Sequence, residues 1–445
     1  MASNHNIHSG GYVKKLTLVI ALSTALAAGT APTLAATIEE KIDILQQELE
    51  SLKAELAKVK SQQQSAAQAA ETPGPSQGSG ISFAGAEGAA AARNAAPGST
   101  TIGGYGEMIY NNYRDGDVKD QIDLRRFVLF FGHKFSDRLR LFSELEVEHG
   151  LVEGGEGAVE VEQAYLDYRI NDAFIVKGGA FLIPMGIINE THEPPTFFGV
   201  ERNDVERRII PATWRENGFG VHGEIAQGLQ YDVGIVSSLD AGKFGGPDVG
   251  IREMRTELRE APAHDFAFYG ALNYRGIPGL LVGGSMFTGN TGQNGVTDSA
   301  LKGVNARLTL WDVHAQYRLG GLDLQALYAR GKLGDADQVT AAAIARSGNA
   351  SDIAPSAFWG YYAQAGYHLP IGADMELAPF VRYDRYNTQA SVPSGLSADP
   401  KNNERVVTVG VNFKLHPQVV FKADYQNYKE DNRKDRFNLG LGYMF

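Results

Sequence analysis

The sequence predicts an all-β protein: a 16-stranded antiparallel transmembrane β-barrel, preceded by a short α-helical coiled coil. Three observations predict it. From residue 100 to the last residue, short segments alternate apolar and polar side chains. A period of two means one apolar face and one wet face. The connections between those segments alternate short and long, as in outer-membrane barrels. Finally, the chain of 445 residues holds 52 Gly, 19 Tyr and 21 Phe but no Cys. Its mean hydropathy of −0.23 excludes a bundle of membrane-spanning helices.

The elements follow in chain order. Lys14 and Lys15 precede an apolar run from Leu16 to Ala28, and Thr33-Leu34-Ala35 supplies small residues for a cleavage site. Residues 1–35 thus read as a secretory signal peptide, cut after Ala35. Next, Ile38, Ile42, Leu45, Leu49, Leu52, Leu56 and Val59 alternate spacings of four and three. That heptad seam predicts a coiled coil over 36–60, which needs partner helices to cover its stripe. Residues 61–99 are Gln-, Ala-, Ser-, Gly- and Pro-rich and read as a flexible linker.

From Thr100 the barrel, 100–445, begins. The strands are expected near 101–113, 121–135, 138–149, 158–170, 173–183, 217–226, 229–239, 265–275, 278–288, 305–319, 321–331, 357–369, 373–386, 403–415, 418–428 and 435–445. The clearest alternation sets Val407, Val409, Val411 and Phe413 against Val406, Thr408, Gly410 and Asn412. Long connections lie at 184–216, 240–264, 289–304, 332–356 and 387–402. Aromatic residues near segment ends, among them Tyr110, Tyr168, Phe174, Tyr274, Tyr386 and Tyr428, are expected to form girdles at the two membrane interfaces. A soluble sandwich would not alternate its loop lengths so regularly, and a propeller would show a repeat.

With the apolar face toward lipid, the other face lines the lumen. It carries Arg138, Arg140, Glu144, Glu146, Glu148, Lys177, His314, Gln316, Arg318, Arg382, Asp384, Lys414, Lys422 and Asp424. Charges on such a wall make sense in water, and sixteen strands enclose an aqueous channel. The connection 184–216 holds Ile187, Ile188, Phe197, Phe198, Ile209 and Ile210, which a solvated outer loop does not need. It is expected to fold into the barrel and narrow it. Arg202, Arg207, Arg208 and Arg215 would then face Glu144, Glu146 and Glu148, and opposed charges would screen solutes. The competing readings are a lid packed outside and a self-paired charge network.

The chain has 41 Lys and Arg against 52 Asp and Glu, a net charge of −11. That argues against nucleic acid as a partner. Thiolate chemistry is excluded, and His192, His222 and His314 lack metal-ligand spacing. No G-x-S-x-G segment is present, so no catalytic residue, metal site or cofactor is expected and the chain does not read as an enzyme.

Several segments together resemble the phosphate-selective porin O/P family. They are Asp123-Leu124-Arg125-Arg126-Phe127, Phe135-Ser136-Asp137-Arg138-Leu139, Gln163-Ala164-Tyr165-Leu166-Asp167-Tyr168, the run Gly178 to Gly186, and the terminal Phe445. The resemblance covers about 100–445. It implies a homotrimer in the cell outer membrane, passing small hydrophilic solutes by passive diffusion, often anions such as phosphate or small organic acids. The coiled coil would lie in the periplasm. Two departures stand against strict phosphate selectivity: the barrel segment is net acidic, and no ladder of regularly spaced Arg descends the wall. The pore-lining and constriction candidates are Arg125, Arg126, Glu144, Glu146, Lys177, Arg202, Arg207, Arg208 and Arg382. A second reading is a structural tether in which the coiled coil reaches the cell wall and the barrel anchors it.

Overall fold

The computed structural model describes residues 92–150 and 157–445. The expected signal peptide, the coiled coil and most of the linker lie outside the described residues. The barrel strands are β1 (Thr100–Tyr113), β2 (Gln121–Lys134), β3 (Leu139–Glu148), β4 (Val159–Arg169), β5 (Ile175–Leu182), β6 (Arg215–Ala226), β7 (Leu229–Ser237) and β8 (Phe266–Tyr274). They continue as β9 (Leu280–Gly289), β10 (Leu308–Leu319), β11 (Leu322–Leu333), β12 (Ala357–Tyr367), β13 (Glu376–Ser391), β14 (Asn403–His416), β15 (Val419–Tyr428) and β16 (Arg436–Met444). A two-residue piece, Leu369–Pro370, prolongs β12 along β13. Every strand pairs antiparallel with its sequence neighbour, and β1 pairs with β16 to close a 16-stranded barrel. Phe445 completes the seam: its N–H donates to the Gly104 carbonyl at 2.9 Å and its own carbonyl accepts from Gly104 N at 3.0 Å.

Each expected strand is present within a few residues. The short turns and the chain terminus share one end, and the long connections the other. Apolar side chains such as Ile122, Leu124, Phe219, Phe268 and Val409 are exposed on the outer face, where the hydrocarbon of a bilayer covers them. The polar alternates, among them Glu144, Asp232, Asp384 and Asp424, are buried from the outside. Two of the expected girdle aromatics are corrected: Tyr386 and Tyr428 are buried within the apolar core. Alternation itself explains this, because they share an inward parity with Arg382 and Lys422.

Register shifts occur in five of the strand pairings, and two of these bulges bear on the loop. Glu107 of β1 lies opposite Arg126 and Met108 opposite Leu124, so Arg125 is an extra residue in β2. Glu144 of β3 lies opposite Gln163 and Leu145 opposite Val161, so Glu162 is extra in β4. A bulge sets two residues against one and re-aims the strand beyond it. Arg125 with Arg126, and Glu162 with Gln163, therefore all turn from the lipid face.

The lumen is partly filled. The connections 183–214, 238–265, 290–307 and 334–356 contribute to one buried apolar cluster, with Ile210, Trp214, Phe244, Met254, Leu301 and Val339 among its members. Trp214 packs on Phe287 of β9, ring centroids 4.4 Å apart. The connection after β11 holds a helix, Ala336–Ser347, ended by Gly348 at φ 71°. Its Ala-rich run suits a helix, and Val339, Ala342 and Ala343 join the cluster. The connection 184–216 was expected inside the barrel; three further connections also pack there and replace part of the expected water.

The loop that crosses the lumen

The connection between β5 and β6 enters the barrel. Its stem is stitched by Asn189, whose Nδ2 donates to the carbonyls of Ile183 (2.7 Å) and Trp214 (2.9 Å) while its Oδ1 accepts from Trp214 N (2.7 Å). Glu206, in a one-turn helix Val205–Arg208, is fully buried. It accepts from the N–H groups of Ile187 and Ile188, both at 2.7 Å, and from the Tyr362 hydroxyl of β12 at 2.8 Å. Burial pushes its carboxyl upward, and those three donors oppose the shift.

The loop then meets the wall on several sides. His192 Nε2 lies 2.9 Å from Glu162 Oε1 of β4 and 2.9 Å from the Tyr105 hydroxyl of β1. Its Nδ1 faces the Asn189 carbonyl at 3.0 Å. Lys422 of β15 donates to the carbonyls of Phe197 (3.0 Å) and Gly199 (2.8 Å). Asn412 of β14 donates to the Phe197 carbonyl, and Val200 N donates to Asp424 at 2.5 Å. Phe198 stacks on Phe380 of β13, centroids 5.3 Å apart. Glycines make room: a Cβ at Gly442 would stand 2.2 Å from Pro194 Cβ, and one at Gly366 would stand 2.4 Å from the Phe198 ring. Such distances leave no space for any side chain.

Toward the long-loop end, the loop and the β1–β2 wall enclose a small cavity. Arg125, Arg126, Arg202, Arg207 and Arg252 line it, with Glu107 and Glu201 as its acids. Arg126 meets Glu107 at 2.9 Å and Glu146 at 3.2 Å. Arg125 meets Asp123 at 3.0 Å and Glu201 at 3.4 Å. Burial works against a charge on Glu201, but Arg125, Arg436 and Arg207 hold its carboxyl well below the usual range. Arg202 Nη1 donates to Thr213 Oγ1 at 2.9 Å, while its buried Nη2 has no hydrogen-bond acceptor among the described residues. Five guanidinium groups line the cavity, and four carboxylates, Glu107, Glu201, Asp123 and Glu146, engage them.

The expected opposition of loop arginines and an acidic wall is corrected. Glu146 is taken by Arg126 of the adjacent strand, and Glu144 accepts from Gln163 at 2.7 Å. Arg207 turns to Glu201 at 3.8 Å and Arg208 to Asp204 at 3.0 Å, inside the loop itself. Arg215 pairs with Glu160 of β4. Cross-strand and i,i+4 neighbours lie within reach of a short side chain, and a partner across the lumen does not. Arg382 and Lys177 are structural: Arg382 meets Asp384 at 2.9 Å and the Phe198 carbonyl at 3.3 Å, and Lys177 meets Asp232 at 2.5 Å. Of the nine candidates, Arg125, Arg126, Arg202 and Arg207 share the cavity. Sequence reasoning missed Arg252, Glu162 and Tyr105. The adjacent polar pair Glu162-Gln163, where alternation fails, was the available signal for Glu162.

Residues 269–445 match the family model described as outer membrane protein beta-barrel domain, which places the barrel in the outer membrane. An uncharacterized protein of Aquifex aeolicus (strain VF5) is 36% identical over 355 residues, covering 78% of this chain and 80% of that one. Among solved structures, Salmonella typhi OmpF in complex with daunomycin aligns with a TM-score of 0.55 at 13% identity. That alignment covers 78% of this chain and 98% of OmpF. A loop L8 deletion mutant of Vibrio cholerae OmpT aligns with a TM-score of 0.50 at 13% identity, covering 78% and 99%. At such identities the likeness is one of fold.

Proposed function

The chain belongs to the same family as the uncharacterized Aquifex aeolicus protein, and from that premise we propose that its barrel is a porin. Small hydrophilic solutes cross it down their gradient, without cofactor, energy source or bond-breaking step. The loop between β5 and β6 is its constriction, and small anions, phosphate or small organic acids, are its preferred solutes. The observation that carries the preference is the cavity of five arginines. The chain is acidic overall, but the field that a solute meets is set by the charges nearest its path. Arg202 supports this most directly, with a donor to spare. In this reading residues 1–35 are an export signal, and a periplasmic coiled coil over 36–60 holds three barrels together.

The test is the reversal potential of the full mature protein in planar bilayers across a KCl gradient. An anion-selective sign is expected. Arg202→Gln combined with Arg252→Gln should move it toward cation selectivity. A cation-selective wild type would refute the anion preference, and folded protein that passes no current would refute the porin.

A further inference from the structure

Below the loop, toward the short-turn end, is a second and separate space of about 310 Å³. That is the size of a small-molecule site. Its two sides differ in chemistry. The loop roofs it with Ile187, Ile188, Pro195, Phe197 and Phe198, and Leu281 of β9 extends the apolar side. Its rim carries Arg275 after β8, Arg318 of β10 and Lys414 of β14.

These cations are answered unequally. Arg318 meets Asp323 at 2.5 Å, and Lys414 stands 3.7 Å from Glu376. Arg275 is exposed, and its guanidinium makes no ion pair among the described residues. Glu190 of the loop lines the same space and attracts Arg275 without forming a close ion pair, while burial pushes its carboxyl well upward. The space therefore offers one guanidinium with no carboxylate in direct contact beside an apolar roof. A hydrated inorganic ion covers none of that roof. A solute with an apolar body covers it and gains by removing the surface from water.

We propose that this chamber is a binding stop for small organic carboxylates with an apolar body, the carboxylate on Arg275 and the body beneath Ile187, Pro195 and Phe197. The proposal rests on the porin reading for how the solute arrives, but binding is separable from conduction. The probe is benzoate, titrated calorimetrically into the full mature protein in detergent, with acetate and inorganic phosphate as comparisons. Benzoate is expected to bind at least tenfold more tightly than either. Arg275→Gln should weaken it about tenfold, Arg275→Lys should restore most of the loss, and Ile187→Asn should narrow the gap between benzoate and acetate. No benzoate binding, equal binding of acetate, or indifference to Arg275→Gln would each overturn the proposal. Bilayer currents separate the two readings. Benzoate binding without any current keeps the site and removes the porin. A steady current with no benzoate binding keeps the porin and removes the site.

Discussion

Glu162→Gln tests whether the loop is held by its bulge-borne anchor. Glu162 is fully buried and meets His192 at 2.9 Å, with a longer contact of 3.4 Å from the Tyr105 hydroxyl. A bond to an ionised partner contributes about 1.5–3 kcal/mol, and a neutral one about half of that. Gln keeps the shape and one acceptor, so the loss should be about 1–2 kcal/mol. The loop keeps its Glu206, Lys422 and Asp424 contacts, and the barrel should remain folded. A change of that size raises the released fraction roughly 5–30-fold. The loop carries Arg202, Arg207 and Arg208, so trypsin reports release directly. The assay is the rate of cleavage at those sites in the detergent-solubilised barrel, read alongside current flicker in bilayers. Cleavage within twofold of wild type, with the barrel intact, would show that the anchor does not hold the loop.

Three further outcomes are expected. Gly442→Val drives a Cβ to within 2.2 Å of Pro194 Cβ; such overpacking costs about 1–3 kcal/mol, so the conductance should change and Pro194→Gly should restore it. Lys422→Met strips the charged donor from two loop carbonyls, and the melting temperature should fall by an amount matching a loss of about 1.5–3 kcal/mol. Burial opposes the charge on Asp204, but Arg208 and Arg207 hold its carboxyl down to about 2. The folded value lies below the unfolded one of about 3.9, so the stabilisation is present above pH ~4 and lost as pH falls toward 2. Release of the loop, read with pepsin, which is active at these pH values, should rise over that window in wild type relative to Asp204→Asn.

The strand pattern was legible because lipid on one side and polar contacts on the other act on every second residue. Val406 to Phe413 shows this without help from tertiary structure. Parity broke where an extra residue entered, at Arg125 and Glu162, and only the register of the neighbouring strand reveals a bulge. Ile187, Phe197 and Ile209 marked a loop that needs cover, because apolar side chains do not stay in water. The partners of its arginines were legible only as the competing reading of a self-paired network, which Arg207 with Glu201 and Arg208 with Asp204 form. They depend on which acid lies within side-chain reach, and Asp204 and Glu201 of the loop itself lie nearer than the wall. The helix Ala336–Ser347 escaped notice among long connections, although its alanines favour that form.

The loop lies early in the chain, yet many of its partners come late. Val200 and Asp424 are 224 residues apart, and Phe197 and Lys422 are 225 apart. Until β12 to β16 are in place, the loop lacks its partners Arg382, Asn412, Lys422 and Asp424. The same late strands supply the β1–β16 seam. Biogenesis therefore couples two tasks in time: an assembly intermediate with an open seam also has an undocked loop. Contacts of such long sequence separation make this the slow stage of folding. A substitution that weakens docking, such as one at Gly442 on the final strand, should delay closure as well as alter the finished barrel.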